Sequence, residues 1–396
     1  MSVVGFNPLD PDFIADPYPT YHRLRAADPV HRSPHGFWVL TRYDDVVSVL
    51  RDPRMGKEAI EAVVAARYGA STPAVGMSML VRDPPDHTRL RSLVSKAFTP
   101  RVVEGLRAHL QQIVDALLDS AQDAGAMDLI ADFAYPLPVI VICEMLGVPV
   151  DDRDRFKQWG LDIARSLDAI LLPPGSDVAT RGSEARGHLV DYFHELITER
   201  RTSPRGDLLS GLIAAEEAGD RLSEEELLST CILLLIAGHE TTVNLIGNGT
   251  LALLRHPREF RRLRNHPELI QSAVEELLRF DGPVQRTTRV PGEDVVIRGQ
   301  PIPKGDLVMT FIGAADRDPA QFHDPDRLDI ARSDNRHIAF GWGIHFCLGA
   351  PLARVEGQIA IGTLARRFPR LALATATPAY RESLTLRGLR TLPVTF

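Results

Sequence analysis

One cysteine stands in a loop that is built for tight turns. Residues 340–349 read FGWGIHFCLG, and a helical pattern begins at Pro351. A helix N-terminus favours a thiolate, because its free N–H groups and the positive end of its dipole stabilise negative charge. The glycines Gly341 and Gly343 let the backbone turn sharply and approach a flat partner closely. Cys347 is therefore predicted to be the thiolate ligand of a single open metal centre.

Two other interpretations of Cys347 need to be weighed. A lone cysteine is often only a small buried hydrophobe. His345 and Cys347 could instead be half of a zinc site, but such a site needs four nitrogen or sulfur ligands. The other cysteines, Cys143 and Cys231, are far away in sequence and lie in apolar helical patterns. Zinc is therefore disfavoured.

A second set of reactive side chains interrupts an apolar helical pattern. Ser223 to Glu226 reads as a capping box, and it opens a helix that is largely apolar from 227 to 254. Within it, residues 237–242 read AGHETT. A buried Glu240 without a partner would be costly. The hydroxyl of Thr241 could simply bond back to the carbonyl four residues earlier.

The loop resembles the haem-binding signature of the cytochromes P-450, the haem-thiolate monooxygenases. The matching positions are Phe340, Gly341, Gly343, His345, Cys347 and Gly349. The resemblance implies that Cys347 is the iron ligand, and that the thiolate pushes electron density towards O–O cleavage. It implies that Phe340 packs beneath haem b and that His345 reaches a propionate. N–H groups after the cysteine, Gly349 among them, would bond the sulfur.

The helix motif matches the same family. In the family, small side chains at the position of Ala237 make a groove for dioxygen. Glu240 and Thr241 stand where an acid and an alcohol deliver protons to it. Proton delivery needs such groups within hydrogen-bond reach, directly or through one water. His239 stays unassigned.

Basic residues elsewhere match the family's propionate contacts. His87 and Arg91 stand at i and i+4 on a predicted helix, so they share one face. Arg289 matches a third contact on a predicted strand. Because alternate strand residues share a face, Thr287 lies on the side of Arg289 and Arg286 points away. Thr287 and Val284 are the predicted pocket-wall residues.

A Glu-x-x-Arg pair, Glu276 and Arg279, follows the central helix. The spacing is common on helices, and its weight comes from its place between the helix motif and the cysteine loop. The family adds an arginine from a later loop, and Arg327 fits that place. A buried charge network must be fully paired. These three residues are predicted to hold the cysteine loop in position.

Composition limits the class of protein. The chain has 396 residues, a formal net charge of −7 and a mean hydropathy of −0.07, which argues against nucleic-acid binding. Three widely spaced cysteines do not form a disulfide framework. No signal peptide and no long apolar run stand out, so a cytoplasmic protein without a membrane anchor is expected.

The predicted fold is mainly α with a smaller β-rich part, the α+β fold of the cytochromes P-450. The length alone favours two domains, but the resemblance implies a single domain over residues 1–396. Helices are predicted at 17–28, 44–50 and 87–98, with two more in 101–147, and short strands at 36–43 and 294–311. The helix–loop–helix 151–200 matches a lid, with its loop at residues 173–176, and segment 54–84 matches the cap of a substrate pocket.

The resemblance implies an enzyme that hydroxylates or epoxidises a bulky, largely apolar small molecule. It would use dioxygen and two electrons from NAD(P)H, passed by ferredoxin reductase and ferredoxin, and would act as a monomer. Lys96, Arg101 and Arg354 are the predicted docking residues for ferredoxin. Two alternatives stay open: a peroxide-driven haem peroxygenase and a non-enzymatic haem protein that binds a gas. The first is disfavoured, because peroxygenase relatives replace the acid–alcohol pair by Arg-Pro.

Overall fold

Helices form most of the chain, and strands gather into small sheets. The structure is a computed structural model that describes residues 7, 9–68, 78–172, 176–217 and 222–396. The helices are α1 (Pro11–Ala15), α2 (Tyr18–Ala27), α3 (Tyr43–Arg51), α4 (Ile60–Tyr68), α5 (Asp86–Ser95), α6 (Pro100–Gly105), α7 (Arg107–Gln122), α8 (Pro136–Leu146), α9 (Arg153–Ser166), α10 (Val178–Thr202), α11 (Leu208–Glu217), α12 (Glu224–Arg255), α13 (Pro257–Asn265), α14 (Ile270–Asp281), α15 (Ile312–Ala315) and α16 (Ala350–Arg367). A π-helical turn, Leu129–Ala134, precedes α8.

The strands form one larger sheet and two smaller ones. They are β1 (Val30–Arg32), β2 (Trp38–Leu40), β3 (Met55–Gly56), β4 (Ala126–Asp128), β5 (Arg286–Pro291), β6 (Val295–Ile297), β7 (Gln300–Ile302), β8 (Val308–Phe311), β9 (Ala372–Leu373) and β10 (Pro393–Thr395). The larger sheet has the order β1-β2-β8-β5-β3, and only its β2–β8 pair is parallel. Because β3 pairs with β5 through Gly56 and Val290, the residue after β3 lies beside Arg289.

Helix α12 is the centre of the helical part. The Ser223 hydroxyl accepts from the N–H of Glu226, and the Glu226 carboxylate accepts from the N–H of Ser223, which is the predicted capping box. The helix then runs without a break to Arg255 and packs against α8, α10, α14 and α16. Its apolar sequence is explained by this contact on several sides.

Two helical stretches are long and apolar enough to cross a membrane by length and composition. They are Leu129–Leu146 and Glu224–Arg255, of which 67% and 72% are buried inside the fold. The sequence analysis counted no such stretch. Their burial against other helices accounts for their apolar character, since the core helix of a globular domain has the same composition.

The predicted helices at 17–28, 44–50 and 87–98 correspond to α2, α3 and α5, and the predicted strand at 36–43 contains β2. Segment 101–147 carries three helices rather than two, together with β4 and the π-helical turn. Segment 54–84 contains α4, and its residues 69–77 lie outside the described residues. The lid prediction corresponds to α9 and α10, and residues 173–175 of its loop are likewise not described.

Candidate functional site

The cysteine loop is a tightly folded turn that leads into α16. The N–H of Cys347 donates to the carbonyl of Phe340 at 2.9 Å, and the N–H of Gly341 donates to the carbonyl of Ile338 at 2.7 Å. Gly341 and Gly343 both have φ = +72°, a backbone region that side chains strongly disfavour. The two glycines therefore shape the loop in the way that their spacing predicted.

We expect Gly343→Ala to destabilise the loop, because a methyl group there would overlap the carbonyl oxygen of Leu50 in α3 at a fixed positive φ. The expected loss is about 2 kcal/mol or more of unfolding free energy, since backbone rather than a flexible side chain must move. Urea unfolding measures it. Gly349→Ala in the same loop is the matched control, because no atom lies within 4 Å of its added methyl. Equal stability of the two variants would contradict this account.

The environment of the Cys347 sulfur combines opposing effects. The cysteine is exposed as a free thiol at the start of α16. Although the residue as a whole is exposed, burial of its thiol group raises the pKa of that thiol, and the N–H groups of Gly349 and Ala350 and the charge of Arg91 act against that rise. These N–H groups follow the cysteine, as the sequence analysis expected of groups that bond the sulfur. Their charge-stabilising effect is available once a cation draws the proton from the thiol.

A buried charge network contacts the chain segment that precedes the cysteine loop, and it differs from the prediction in one member. Glu276 accepts from Arg279 at 2.8 and 2.9 Å, and both residues are almost fully buried. The second guanidinium belongs to Arg332, whose Nε lies 3.0 and 3.2 Å from the same carboxylate. Arg327 was the wrong choice: it contributes its backbone carbonyl, which accepts from Arg279 and Arg332. The local turn therefore presents the Arg327 carbonyl, and not its side chain, to the network.

Basic side chains gather in front of the loop from four separate segments. The rings of His87 and His345 lie 4.4 Å apart between centroids. Burial, followed by the charges of Lys57, Arg289, His87 and Arg91, lowers the pKa of His345 to about 2. Both ring nitrogens of His87 and Nε2 of His345 are buried without a hydrogen-bond partner in the described part of the chain. We call Lys57, His87, Arg91, Arg289 and His345 the basic cluster.

Strand β5 carries two arginines, Arg286 and Arg289, on opposite faces. Arg289 is buried, and among the described residues its guanidinium bonds only to its own strand, through Oγ1 of Thr287 and the carbonyl of Thr288. Arg286 faces the other way, as predicted, and donates to the buried carboxylate of Asp168 at 2.7 Å. Asp168 lies after α9 and also accepts from Ser383 and Thr385, so it ties the lid connection to the C-terminal segment.

Arg91 contacts the loop directly. Its guanidinium donates to the carbonyls of Ile344 and Phe346, at 3.2 and 2.7 Å. Phe340 lies beneath the guanidinium of Arg354, which is 4.5 Å from its ring centroid. Arg354 is also paired with Glu275 at 2.7 Å, so it braces the loop as well as facing the surface. Lys96 and Arg101 are exposed, as a docking role requires.

These residues fit a flat anionic cofactor that carries its own metal ligands. In the described residues, His, Cys, Asp and Glu do not form a group of three or more that could hold a metal ion. A metal at Cys347 would thus need its other ligands from a cofactor. The orphaned nitrogens of His87 and His345 and the buried guanidinium of Arg289 suit negatively charged oxygens. Haem meets both requirements, with its ring nitrogens and its two propionates.

The acid–alcohol pair lies on α12, which continues through it without a break. The hydroxyl of Thr241 donates to the carbonyl of Ala237 at 2.9 Å, which is the back-bond that the sequence analysis named as the simpler interpretation. Ala237 is exposed, although most of the helix is buried, so this face borders open space. Glu240 is buried and ion-paired with Arg381 at 2.8 Å.

Comparison with known proteins agrees with this arrangement. The family model described as Cytochrome P-450 matches residues 29–383. The chain belongs to the cytochrome P-450 family. It is 47% identical over 391 residues to the Vitamin D(3) 25-hydroxylase of Pseudonocardia autotrophica, covering 97% of this chain and 94% of the relative. It is 43% identical to the polyketide biosynthesis cytochrome P-450 PksS of Bacillus subtilis, covering 100% and 99%.

The solved structures match as closely. A myxobacterial cytochrome P-450 in complex with myristic acid superposes with a TM-score of 0.92 at 46% identity, covering 98% of each chain. The predicted cytochrome P-450 fold, mainly α with a smaller β-rich part, is thereby confirmed. The chain is a cytochrome P-450 monooxygenase that uses haem iron, so the non-enzymatic gas-binding alternative is set aside.

Sequence analysis missed four residues of this cytochrome P-450 site. They are Lys57, Asp168, Arg332 and Arg381. Lys57 carried a weak signal, as one of the few lysines in a chain whose basic residues are nearly all arginine. Arg332 follows Arg327 closely, and only the fold decides between the two. Asp168 and Arg381 find their partners more than 100 residues away, so no local pattern indicates either pair.

Proposed function

We propose that this cytochrome P-450 binds haem b through Cys347 and inserts one oxygen atom into a C–H or C=C bond of a bulky, largely apolar molecule. One observation carries the proposal: the turn that exposes Cys347 lies beside the buried guanidinium of Arg289 and the ring nitrogens of His87 and His345, which have no hydrogen-bond partner among the described residues. That pairing of a soft ligand with an anion site matches the iron and the propionates of haem. We further propose that residues 1–396 act as one catalytic domain.

Each part of the site has a proposed task. Bound haem supplies the activation of dioxygen and the transfer of one oxygen atom. Cys347 holds the iron, while the N–H groups of Gly349 and Ala350 stabilise negative charge on its sulfur. His87, Arg91, Arg289 and His345 bind the propionates and orient the ring. Phe340 packs beneath it.

Proton delivery falls to the exposed face of α12. We propose that Ala237 leaves room for dioxygen and that the Thr241 hydroxyl donates a proton there, after giving up its bond to the Ala237 carbonyl. Glu240 would pass protons inward from water. In this structure its carboxylate is paired with Arg381, so relay through Glu240 requires the ion pair to loosen or exchange through water.

The substrate class rests on the relatives. Vitamin D(3), a polyketide and myristic acid appear in their names. All three are large and mostly apolar. For this chain we propose a substrate of that chemical class, in a pocket whose wall includes Val284 and Thr287.

Electrons must come from a redox partner. We propose a ferredoxin, reduced by a ferredoxin reductase and NAD(P)H, that docks on the face carrying Lys96 and Arg101. Complementary charge would mainly raise its association rate. We propose a monomeric cytoplasmic enzyme, in which the apolar helices serve the core.

The absorption spectrum of the dithionite-reduced protein with carbon monoxide tests the proposal. A strongly red-shifted Soret band identifies a thiolate-ligated haem iron. The same protein can then be screened for ligands by the spin-state change on substrate binding. A Soret band at the position typical of histidine- or thiol-ligated haem would remove the thiolate from the site. A peroxide-driven reaction that no reductase accelerates would instead favour the peroxygenase alternative.

Thr241→Ala tests the proton pathway. The variant should keep haem and substrate binding but divert most electrons to hydrogen peroxide, because the donor hydroxyl is gone. Loss of a positioned proton donor costs roughly 100-fold or more in the assisted step. The measurement is product formed per NAD(P)H consumed, alongside peroxide release. Thr242→Ala is the matched control, since Thr242 is buried on the next position of α12. Tight coupling in Thr241→Ala would remove this residue from its task.

A further inference from the structure

One buried basic side chain of the site, Lys57, has no partner for its ammonium group among the described residues. Lys57 follows β3 and is only 7% exposed. In the described part of the chain its ammonium group makes no hydrogen bond and no ion pair. A buried charge that is left unpaired costs several kcal/mol. A buried lysine without a counter-ion is therefore unusual.

The nearest acid is already engaged elsewhere. Both carboxylate oxygens of Asp83 accept the backbone N–H of Lys57 at 3.0 Å, and one of them also accepts the N–H of Glu58. Asp83 therefore fixes the backbone at Lys57 and leaves the ammonium group without a bond. Burial, followed by the charge of Arg289, lowers the pKa of Lys57, and Asp83 opposes this only in part.

The neighbours of Lys57 make the site more positive. The pairing of Gly56 with Val290 places Lys57 beside Arg289. The charge of Lys57 also lowers the pKa of His87 and His345, after burial and with other cations of the cluster. Four separate segments thus bring basic groups to one place. Such an arrangement is stable only when an anion occupies that place.

We propose that Lys57 is an additional propionate-binding residue, whose ammonium group pairs with a haem carboxylate that Arg289 also contacts. The inference rests on the proposed function, because it requires haem at Cys347. Its role is distinct from that of Asp83, which only positions the backbone. It also gives a reason for a lysine at 57 in a chain that uses arginine almost everywhere else.

The test is haem retention by the holoenzyme. Lys57→Met removes the charge and keeps the length of the side chain. Transfer of haem to excess apomyoglobin should become about 10- to 100-fold faster, the effect expected for a lost charge-assisted hydrogen bond. Lys304→Met is the control, because Lys304 is exposed at the turn between β7 and β8. Lys57→Gln replaces Lys57→Met if the latter yields no holoenzyme.

Resonance Raman spectroscopy gives a second readout on the same samples. The propionate bending mode should shift in Lys57→Met and stay unchanged in Lys304→Met. Unchanged haem transfer and an unchanged propionate mode would overturn the proposal. A second result would also overturn it: Lys57→Met retains haem normally but loses affinity for myristate and not for the methyl ester of myristate. The ammonium group would then face a substrate carboxylate. Failure of the proposed function would show separately, as a wild-type protein without the red-shifted band.

Discussion

Cys347→Ser should abolish both the red-shifted Soret band of the reduced, carbon monoxide-bound protein and product formation. A serine hydroxyl stays protonated near neutral pH and donates little electron density to iron, so the push towards O–O cleavage is lost. The N–H groups of Gly349 and Ala350 would face a neutral oxygen instead of sulfur. The measurement is the reduced carbon monoxide spectrum, followed by turnover at saturating reductant.

The other cysteines provide matched controls. Cys143 lies in α8 and Cys231 in α12; both are buried, and burial raises the pKa of each thiol to about 12. They are therefore neutral core side chains, and Cys143→Ala and Cys231→Ala should keep the red-shifted band. A Cys347→Ser protein that retained the band, or a Cys231→Ala protein that lost it, would assign the iron ligand elsewhere.

The second large effect is expected at Glu276. Its carboxylate accepts from Arg279, from Arg332 and from the N–H of Asp329 at 3.0 Å. Glu276→Gln keeps the shape but removes the charge, which leaves two guanidinium groups facing a neutral amide in the interior. Breaking a buried charge pair in this way typically costs about 3–5 kcal/mol. We expect a loss of that size in unfolding free energy, together with poor haem retention.

Urea unfolding and the fraction of protein with a red-shifted band measure the two consequences. Glu268→Gln is the control, because Glu268 is exposed and contacts only His266 at 3.2 Å among the described residues. Its effect should stay within about 0.5 kcal/mol. If Glu276→Gln lost less than about 1 kcal/mol, the network would not brace the cysteine loop.

The sequence by itself determined the local parts of the site. Gly341, Gly343 and Cys347 follow one another within a few residues, so their types alone fix the backbone of the turn and the place of the thiol. The capping box at Ser223 is also local, since its hydrogen bonds span three residues. The helix after Cys347 and the direction of Arg286 follow from the periodicity of helix and strand.

Only the tertiary structure decided the partners of the charged groups. The choice of Arg332 over Arg327 depends on which atoms of a polar loop reach Glu276. The pair of Glu240 with Arg381 joins residues 141 positions apart. The unpaired state of Lys57 depends on Asp83 being occupied by backbone N–H groups. The residues that neighbour a charged group in sequence do not identify its partner. Coulomb and hydrogen-bond energies depend on distance and burial, and the packing of distant helices and strands sets both.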